Sequence, residues 1–133
     1  MDEFKAIIKK ENLENIIYPV GAYDNPIPYY READVFFLPS RHEGKPMAVT
    51  ESFIMGAVPV VTEYTSAKEQ IQNKTDGLIF DNDDEALYEG LKDLLKNPDI
   101  LKELKTNISN SDYGNEKEIS EFYKMADKLL HQA

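Results

Sequence analysis

The stretch SRHEGKPMAVTE, residues 40–51, decides the fold of this chain. It follows the apolar run VFFL at 35–38, whose lack of polar alternation is typical of a parallel strand covered on both faces. Pro46 suits the first turn of a helix and Gly56 the residue just past its end. A strand, a loop and a helix therefore meet at the carboxyl edge of a sheet, where α/β folds bind ligands and free helix N–H groups favour an anion.

Two carboxylates bracket this junction, Glu43 in the loop and Glu51 in the helix. By helical spacing Glu51 shares a stripe with Met47, Ile54 and Met55, which predicts that its acid lies on a face built for burial. A partly buried carboxylate needs hydrogen-bond donors, and a pair of sugar hydroxyls would supply them. The alternative is that Glu51 reaches water or a lysine at the edge of the stripe, and that Glu43 is an ordinary acidic loop residue.

The wider pattern supports a specific family. The residues ADVFFLPS at 33–40, the Glu-x7-Glu pair and GAVPVVT at 56–62 occur in that order. This order resembles the C-terminal, nucleotide-sugar-binding domain of family 4 glycosyltransferases, which are retaining enzymes of the GT-B fold. The resemblance implies an α/β fold: a Rossmann-like, three-layer parallel sheet, the C-terminal half of a GT-B fold lacking its first strands, with a helical C-terminal end. Residues 1–133 would form one partial donor-binding domain.

The same resemblance implies roles for the residues of the junction. Glu51 would hold the ribose hydroxyls of the nucleotide, and Glu43 would contact the donor sugar as the catalytic residue. The backbone amides against the sugar and diphosphate would come from Gly44, Lys45, Pro46 and Met47. His42 is either a further contact to the donor or an exposed loop histidine.

The implied reaction is transfer of a sugar from a nucleotide-diphosphate sugar to an acceptor hydroxyl with retention, without a cofactor or a bound metal. The Lys45-Pro46 pair resembles a subgroup that builds bacterial surface polysaccharides, so the acceptor would be a saccharide or a lipid-linked saccharide. The acceptor-binding N-terminal domain, and the Arg and Lys that grip the diphosphate in this family, are expected outside this chain. We therefore expect the isolated chain to be inactive. The alternative is a non-catalytic nucleotide-sugar-binding or interaction module that needs a partner chain.

The composition and charge of the chain argue against several classes of function. The chain has 133 residues, 41% hydrophobic and 30% charged, which is typical of one soluble globular domain. Its net charge of −10 argues against a nucleic-acid partner. There is no cysteine, and no apolar run approaches the roughly 20 residues that span a bilayer. A cytoplasmic location is expected, with the full-length protein peripheral at the inner face of the membrane as a further option.

Two other kinds of chemistry are alternatives to sugar transfer. Paired carboxylates also occur in glycosidases, but sequence spacing fixes no distance between Glu43 and Glu51, and the strand–loop–helix context favours an anion. The two histidines, His42 and His131, are far apart in the sequence, and with no cysteine a metal site is not expected.

The remaining elements follow from local signals. We expect a first helix ending near Asn12, a strand over residues 16–20, a short helix with Tyr29 and Tyr30, and strands at 58–62 and 77–80. Ser66 and Glu69 have the spacing of a capping box, and Thr65-Ser66 stands where the family often has two glycines. Helices should follow near Asp83, at Pro98 and over residues 119–130. Sheet edges left by missing strands need partners, and dimerisation is one way to supply them.

Overall fold

A parallel sheet with helices packed against it forms the body of the chain. The computed structural model describes residues 2–114, so the expected helix over residues 119–130 lies outside the described residues. Within that range, the elements in chain order are α1 (Asp2–Lys10), α2 (Ile27–Glu32), β1 (Val35–Leu38), α3 (Met47–Met55), β2 (Val58–Thr62), α4 (Ala67–Gln70), β3 (Leu78–Phe80), α5 (Asp84–Lys96) and α6 (Pro98–Ser109).

The sheet has three strands in the order β1-β2-β3, all parallel. Leu38 is opposite Val61, and Thr62 is opposite Phe80, so the strands end close together at one edge. All five residues of β2 are buried, and because alternate residues face opposite sides, both faces of this strand are covered. The parallel α/β architecture expected from the sequence is confirmed.

The core joins the sheet to helices on several sides. It is built mainly from β2, from Val49 and Phe53 of α3, and from Leu104 and Ile108 of α6. The ring of Phe53 stacks on that of Tyr113 at 4.1 Å between centroids, which ties α3 to the segment after α6. This packing fixes α3, and with it the loop that precedes α3, against the central strand.

The boundaries of α3 follow the predicted signals to within one residue. Pro46 is the N-cap residue rather than a residue of the first turn, and the helix begins at Met47. Gly56 ends the helix in the left-handed conformation with φ 84°, as glycine at this position usually does. The predicted buried face of α3 is wrong, because Met47 and Ile54 are 66% and 55% exposed.

The strand predicted over residues 16–20 is also wrong. The backbone N–H groups of Ile16 and Ile17 both donate to the Leu13 carbonyl, which makes a turn instead. Ile16 and Tyr18 are 72% and 69% exposed. An extended segment gains stability only from a neighbouring strand and a covered face, and the described residues offer neither to this segment.

Two predicted helix starts have different outcomes. Asp83 caps α5, since its Oδ1 accepts a hydrogen bond from the Ala86 N–H at 2.9 Å. The capping box of Ser66 and Glu69 does not form, because Ser66 makes no side-chain cap and donates its hydroxyl to the carbonyl of Gly44. β1 and β3 are the edge strands among the described residues, and dimerisation through them stays a prediction.

Candidate functional site

The loop after β1 and the segment after β2 enclose a cleft at the carboxyl edge of the sheet. Its volume is about 840 Å³. Both segments leave neighbouring parallel strands at the same edge, which is why residues far apart in the sequence meet here. The cleft is lined by Arg41, His42, Glu43 and Gly44 from the first segment and by Glu63, Tyr64, Thr65 and Lys68 from the second.

Glu43 is half-buried in this cleft, and its neighbour across the cleft is Tyr64. Burial raises the pKa of the Tyr64 hydroxyl, and the negative charge of Glu43 raises that pKa further. The hydroxyl therefore stays protonated and donates to Oε1 of Gln70 at 3.1 Å. Glu43 is thus a carboxylate beside a buried phenol, with room on its other side for a ligand.

Glu51 has a separate environment. It lies half-buried on α3, next to Tyr30 of α2, whose ring packs edge-on against Phe36 at 5.3 Å between centroids. Burial raises the pKa of the Tyr30 hydroxyl, and the charge of Glu51 and its hydrogen-bonding interaction with the hydroxyl raise it further. Glu51 does not line the 840 Å³ cleft in the part of the chain that the structure describes. The two acids of the Glu-x7-Glu pair therefore face different tyrosines.

The charged groups of the cleft partly neutralise one another. Lys68 forms an ion pair with Glu63, and the hydrogen bond and charge of Glu63 raise the pKa of Lys68. Arg41 and His42 are exposed, and so is Lys45 beside them. An anionic ligand would meet Arg41 at the rim and backbone N–H groups along the loop.

The sequence predictions included some of these residues and missed others. Of the predicted donor-site residues, His42, Glu43 and Gly44 line the cleft, while Lys45, Pro46 and Met47 continue the loop into α3. Tyr64 and Gln70 were missed. A signal for Tyr64 was available, since it comes two residues after a buried parallel strand, where ligand-facing side chains gather.

Residues 2–114 contain no cluster of three or more His, Asp or Glu side chains placed to hold a metal ion. In the same range, no helix has both the length and the apolar composition needed to cross a membrane. The site described above is therefore made of carboxylates, tyrosines and a loop backbone.

Comparison with known proteins identifies the family of this chain. The family model described as glycosyl transferases group 1 matches residues 1–111. The chain belongs to this family. The resemblance seen in the sequence, to a glycosyltransferase domain of the GT-B fold, is confirmed.

Two curated relatives are glycosyltransferases that are 31% identical to the chain. One is an uncharacterized glycosyltransferase of Haemophilus influenzae, aligned over 86% of this chain and 36% of its own length. The other is the N-acetylgalactosamine-N,N'-diacetylbacillosaminyl-diphospho-undecaprenol 4-alpha-N-acetylgalactosaminyltransferase of Campylobacter jejuni, aligned over 78% of this chain and 29% of its own length. The chain thus spans about a third of the length of these relatives.

Solved structures share the fold at lower identity. Sucrose-phosphate synthase from Thermosynechococcus elongatus superposes with a TM-score of 0.83 at 18% identity, over 99% of this chain and 35% of that one. The catalytic domain of starch synthase IV from Arabidopsis thaliana, bound to ADP and acarbose, superposes with a TM-score of 0.73 at 14% identity, over 96% of this chain and 29% of that one. The architecture of this glycosyltransferase chain is therefore shared by two larger carbohydrate enzymes.

Proposed function

We propose that this chain forms part of the donor site of a retaining glycosyltransferase. The enzyme would move a sugar from a nucleotide-diphosphate sugar to an acceptor hydroxyl. The observation that carries the proposal is the loop at residues 39–46, which leaves β1 at the carboxyl edge of the sheet, passes Glu43 in the cleft and enters the N-terminus of α3. The match to the glycosyl transferases group 1 family supports this proposal.

The chemistry of the loop suits departure of a diphosphate. As the glycosidic bond breaks, negative charge builds on the leaving group, and preorganised N–H dipoles stabilise that charge. The N–H groups of Met47 and Ala48 at the start of α3 have no partner within the helix, so they can act on the leaving group together with the N–H groups of Gly44 and Lys45. Removing one such donor in other enzymes costs on the order of 10² to 10³ in rate.

The two acids suit different parts of the donor. Glu51 carries two carboxylate oxygens, and the single hydroxyl of Tyr30 can donate to only one of them at a time. We assign the remaining acceptor capacity to the ribose hydroxyls. Glu43 lines the open cleft and is assigned to the transferred sugar, where its charge would stabilise the developing positive charge at the anomeric carbon.

The biological role is proposed from a relative and from the sequence resemblance. The name of the C. jejuni relative describes transfer of N-acetylgalactosamine to a saccharide on diphospho-undecaprenol. We propose an acceptor of the same class, a lipid-linked saccharide in bacterial surface polysaccharide synthesis. Because the chain spans about a third of its relatives' length, catalysis is assigned to the protein that includes the acceptor-binding domain, and the isolated chain should bind donor without turnover.

A second candidate is a non-catalytic module that binds a nucleotide sugar and acts with a partner chain. The exposed apolar residues before α2, such as Ile16 and Tyr18, favour a neighbour of some kind on that side. The coding sequence upstream separates the two candidates, because a second α/β domain in frame, of about 200 residues, would support the enzyme.

The test of the proposed donor site is a titration of the 133-residue chain with UDP and with GDP, followed by amide chemical shifts. We expect saturable shifts from Gly44 to Glu51, and a loss of about 1–3 kcal/mol of binding free energy in Glu51→Ala, since a partly buried acceptor is removed. The matched control is Glu103→Ala, which makes the same change in charge at an exposed position on α6.

Two results would count against the donor site. A folded wild-type chain that shows no shifts with either nucleotide has no donor site of its own. Equal weakening by Glu51→Ala and Glu103→Ala would mean that overall charge, and not a ribose contact at Glu51, governs binding.

A further inference from the structure

Three side chains of the β2–α4 segment reach back to the loop before α3. Each donates a hydrogen bond to a backbone carbonyl that lies 22 to 24 residues earlier in the sequence. The pairs are Thr62 Oγ1 with the carbonyl of Ser40, Ser66 Oγ with the carbonyl of Gly44, and Gln70 Nε2 with the carbonyl of Pro46. The loop is thus held at its beginning, middle and end by one later segment.

The later segment is itself well fixed. Thr62 is the last residue of the buried strand β2, and Ala67 at the start of α4 is fully buried. The amide of Gln70 is oriented at both ends, because Tyr64 donates to its Oε1 at 3.1 Å while its Nε2 donates to Pro46 at 3.2 Å. A side-chain amide with both ends engaged has one orientation, so its effect on the loop is directional.

Holding a carbonyl also fixes the next N–H group. The described chain has no cis peptide bond, and in a trans peptide the C=O and the N–H point in opposite directions. The carbonyls of Gly44 and Pro46 turn toward the β2–α4 segment, so the N–H groups of Lys45 and Met47 turn away from it. Neither N–H donates a hydrogen bond to another group among residues 2–114. Both are therefore available to an external acceptor.

The middle of the loop needs such an anchor. Gly44 is exposed, has no side chain, and faces open space where a Cβ would lie, so no side-chain packing of its own holds this residue. A glycine peptide free to rotate would spend part of its time with its carbonyl toward the ligand, and ordering it on binding would cost free energy. The Ser66 hydroxyl removes that freedom before a ligand arrives.

We propose that Ser66 and Gln70 are positioning residues, which hold the Gly44 and Pro46 carbonyls so that the Lys45 and Met47 N–H groups face the diphosphate of the donor. The inference rests on the proposed donor site and names the residues that preorganise it. Neither side chain touches the donor in this arrangement. Ser66 does not form the helix cap that its spacing to Glu69 predicts, because its hydroxyl donates to the Gly44 carbonyl instead.

The test uses the 133-residue chain as wild type and as the variants Ser66→Ala, Ser66→Thr and Ser109→Ala. Ser66→Ala removes the hydroxyl, and Ser66→Thr keeps it. Ser109→Ala is the matched control, since Ser109 also donates to a carbonyl, that of Thr106 at 2.8 Å, on the distant helix α6. The readouts are the amide chemical shift and hydrogen-exchange rate of Lys45 without ligand, and the Kd for UDP and GDP.

In Ser66→Ala we expect the Lys45 amide signal to move, its exchange to change, and nucleotide binding to weaken about 3- to 10-fold, the usual effect of one hydrogen bond. Ser66→Thr should restore the wild-type signal and affinity, and Ser109→Ala should change neither. Gln70→Glu keeps an acceptor for the Tyr64 hydroxyl but removes the donor to the Pro46 carbonyl, and it should move the Met47 signal. The shift should be smaller than that of Lys45 in Ser66→Ala, because the Val49 N–H also donates to the Pro46 carbonyl, at 3.2 Å. This variant keeps the inference testable if Ser66→Ala does not fold.

Different failures have different meanings. If the wild type binds nucleotide and Ser66→Ala binds it equally, with an unchanged Lys45 signal, the positioning role is refuted. Equal weakening by Ser66→Ala and Ser66→Thr would also refute it, because the hydroxyl would not be responsible. If the folded wild type binds neither nucleotide, the proposed donor site is refuted, and the ligand-free Lys45 signal still shows whether Ser66 anchors the loop.

Discussion

Replacing Gly77 by alanine gives a sharp test of how β3 lies against the central strand. Gly77 comes directly before β3, and its carbonyl accepts the N–H of Lys74 at 2.8 Å. A Cβ at this position would lie 2.7 Å from the carbonyl oxygen of Pro59 and 2.9 Å from both Cγ2 of Ile71 and Cγ of Pro59. Pro59 belongs to the fully buried strand β2, and Ile71 is 1% exposed. Neither has space into which it can move.

The size of the effect follows from these contacts. Overpacking a close-packed interior costs about 1–3 kcal/mol, and a clash with backbone atoms belongs at the upper end of that range. Two further glycines serve as controls for the same substitution. Gly44→Ala places its methyl in open space and should change stability by less than about 0.5 kcal/mol. Gly56→Ala meets no atoms but forces alanine to φ 84°, which should cost about 1–2 kcal/mol.

Urea unfolding of the three variants, followed by far-UV circular dichroism, measures these differences in the free energy of unfolding. The expected order of stability is Gly44→Ala, then Gly56→Ala, then Gly77→Ala. A Gly77→Ala variant as stable as Gly44→Ala would show that the peptide before β3 does not lie against Pro59, and the strand register given above would be wrong. The comparison requires that the slope of the unfolding free energy against urea concentration is the same in all three variants.

Two further predictions concern helix α5 and the hydrogen bond between Tyr113, after α6, and Asp76, before β3. Asp83→Ala removes the side-chain cap on the Ala86 N–H and should lower the free energy of unfolding by about 1 kcal/mol, measured by urea denaturation at pH 7. Burial, and then the charge of Asp76, raise the pKa of the Tyr113 hydroxyl to about 12 from its ordinary 10.0. Between pH 10 and 12 the folded state therefore keeps a proton that the unfolded state releases, so the free energy of unfolding should fall as the pH rises through this range. Tyr113→Phe should reduce that fall. Urea midpoints measured across the range test both expectations.

The sequence predicted the centre of the fold well because several local signals agreed there. The apolar runs at β1 and β2 are too short and too uniformly apolar for surface helices, and Gly56 provides a left-handed end for the helix between them. Burial of β2 on both faces agrees with its assignment as a central parallel strand. The loop therefore had to lie at the carboxyl edge of the sheet, and the position of Glu43 in the cleft follows from connectivity alone.

The failed predictions share a physical cause, which is competition from contacts distant in sequence. The buried residues of α3 are Val49, Ser52 and Phe53, and two of them, Val49 and Phe53, belong to the same core as β2. Helical spacing alone gives several apolar faces to choose from. The run at residues 16–20 has strand propensity, but a strand needs a neighbour to bond with, and propensity does not supply one. Local pattern shows what a segment can form, and the available partners decide what it does form.

The charge of the chain bears on the proposed anchoring of the loop. The chain has a net charge of −10, and the cleft itself carries Glu43 and Glu63, so its long-range field does not attract a diphosphate. Lys68 is occupied by Glu63, which leaves Arg41 at the rim as the nearest exposed guanidinium. Besides Arg41 and the exposed Lys45, the loop offers N–H dipoles at short range, and their effect depends steeply on direction. The directions of these dipoles are set by bonds that fix the peptide planes, and this is the contribution we propose for Ser66 and Gln70.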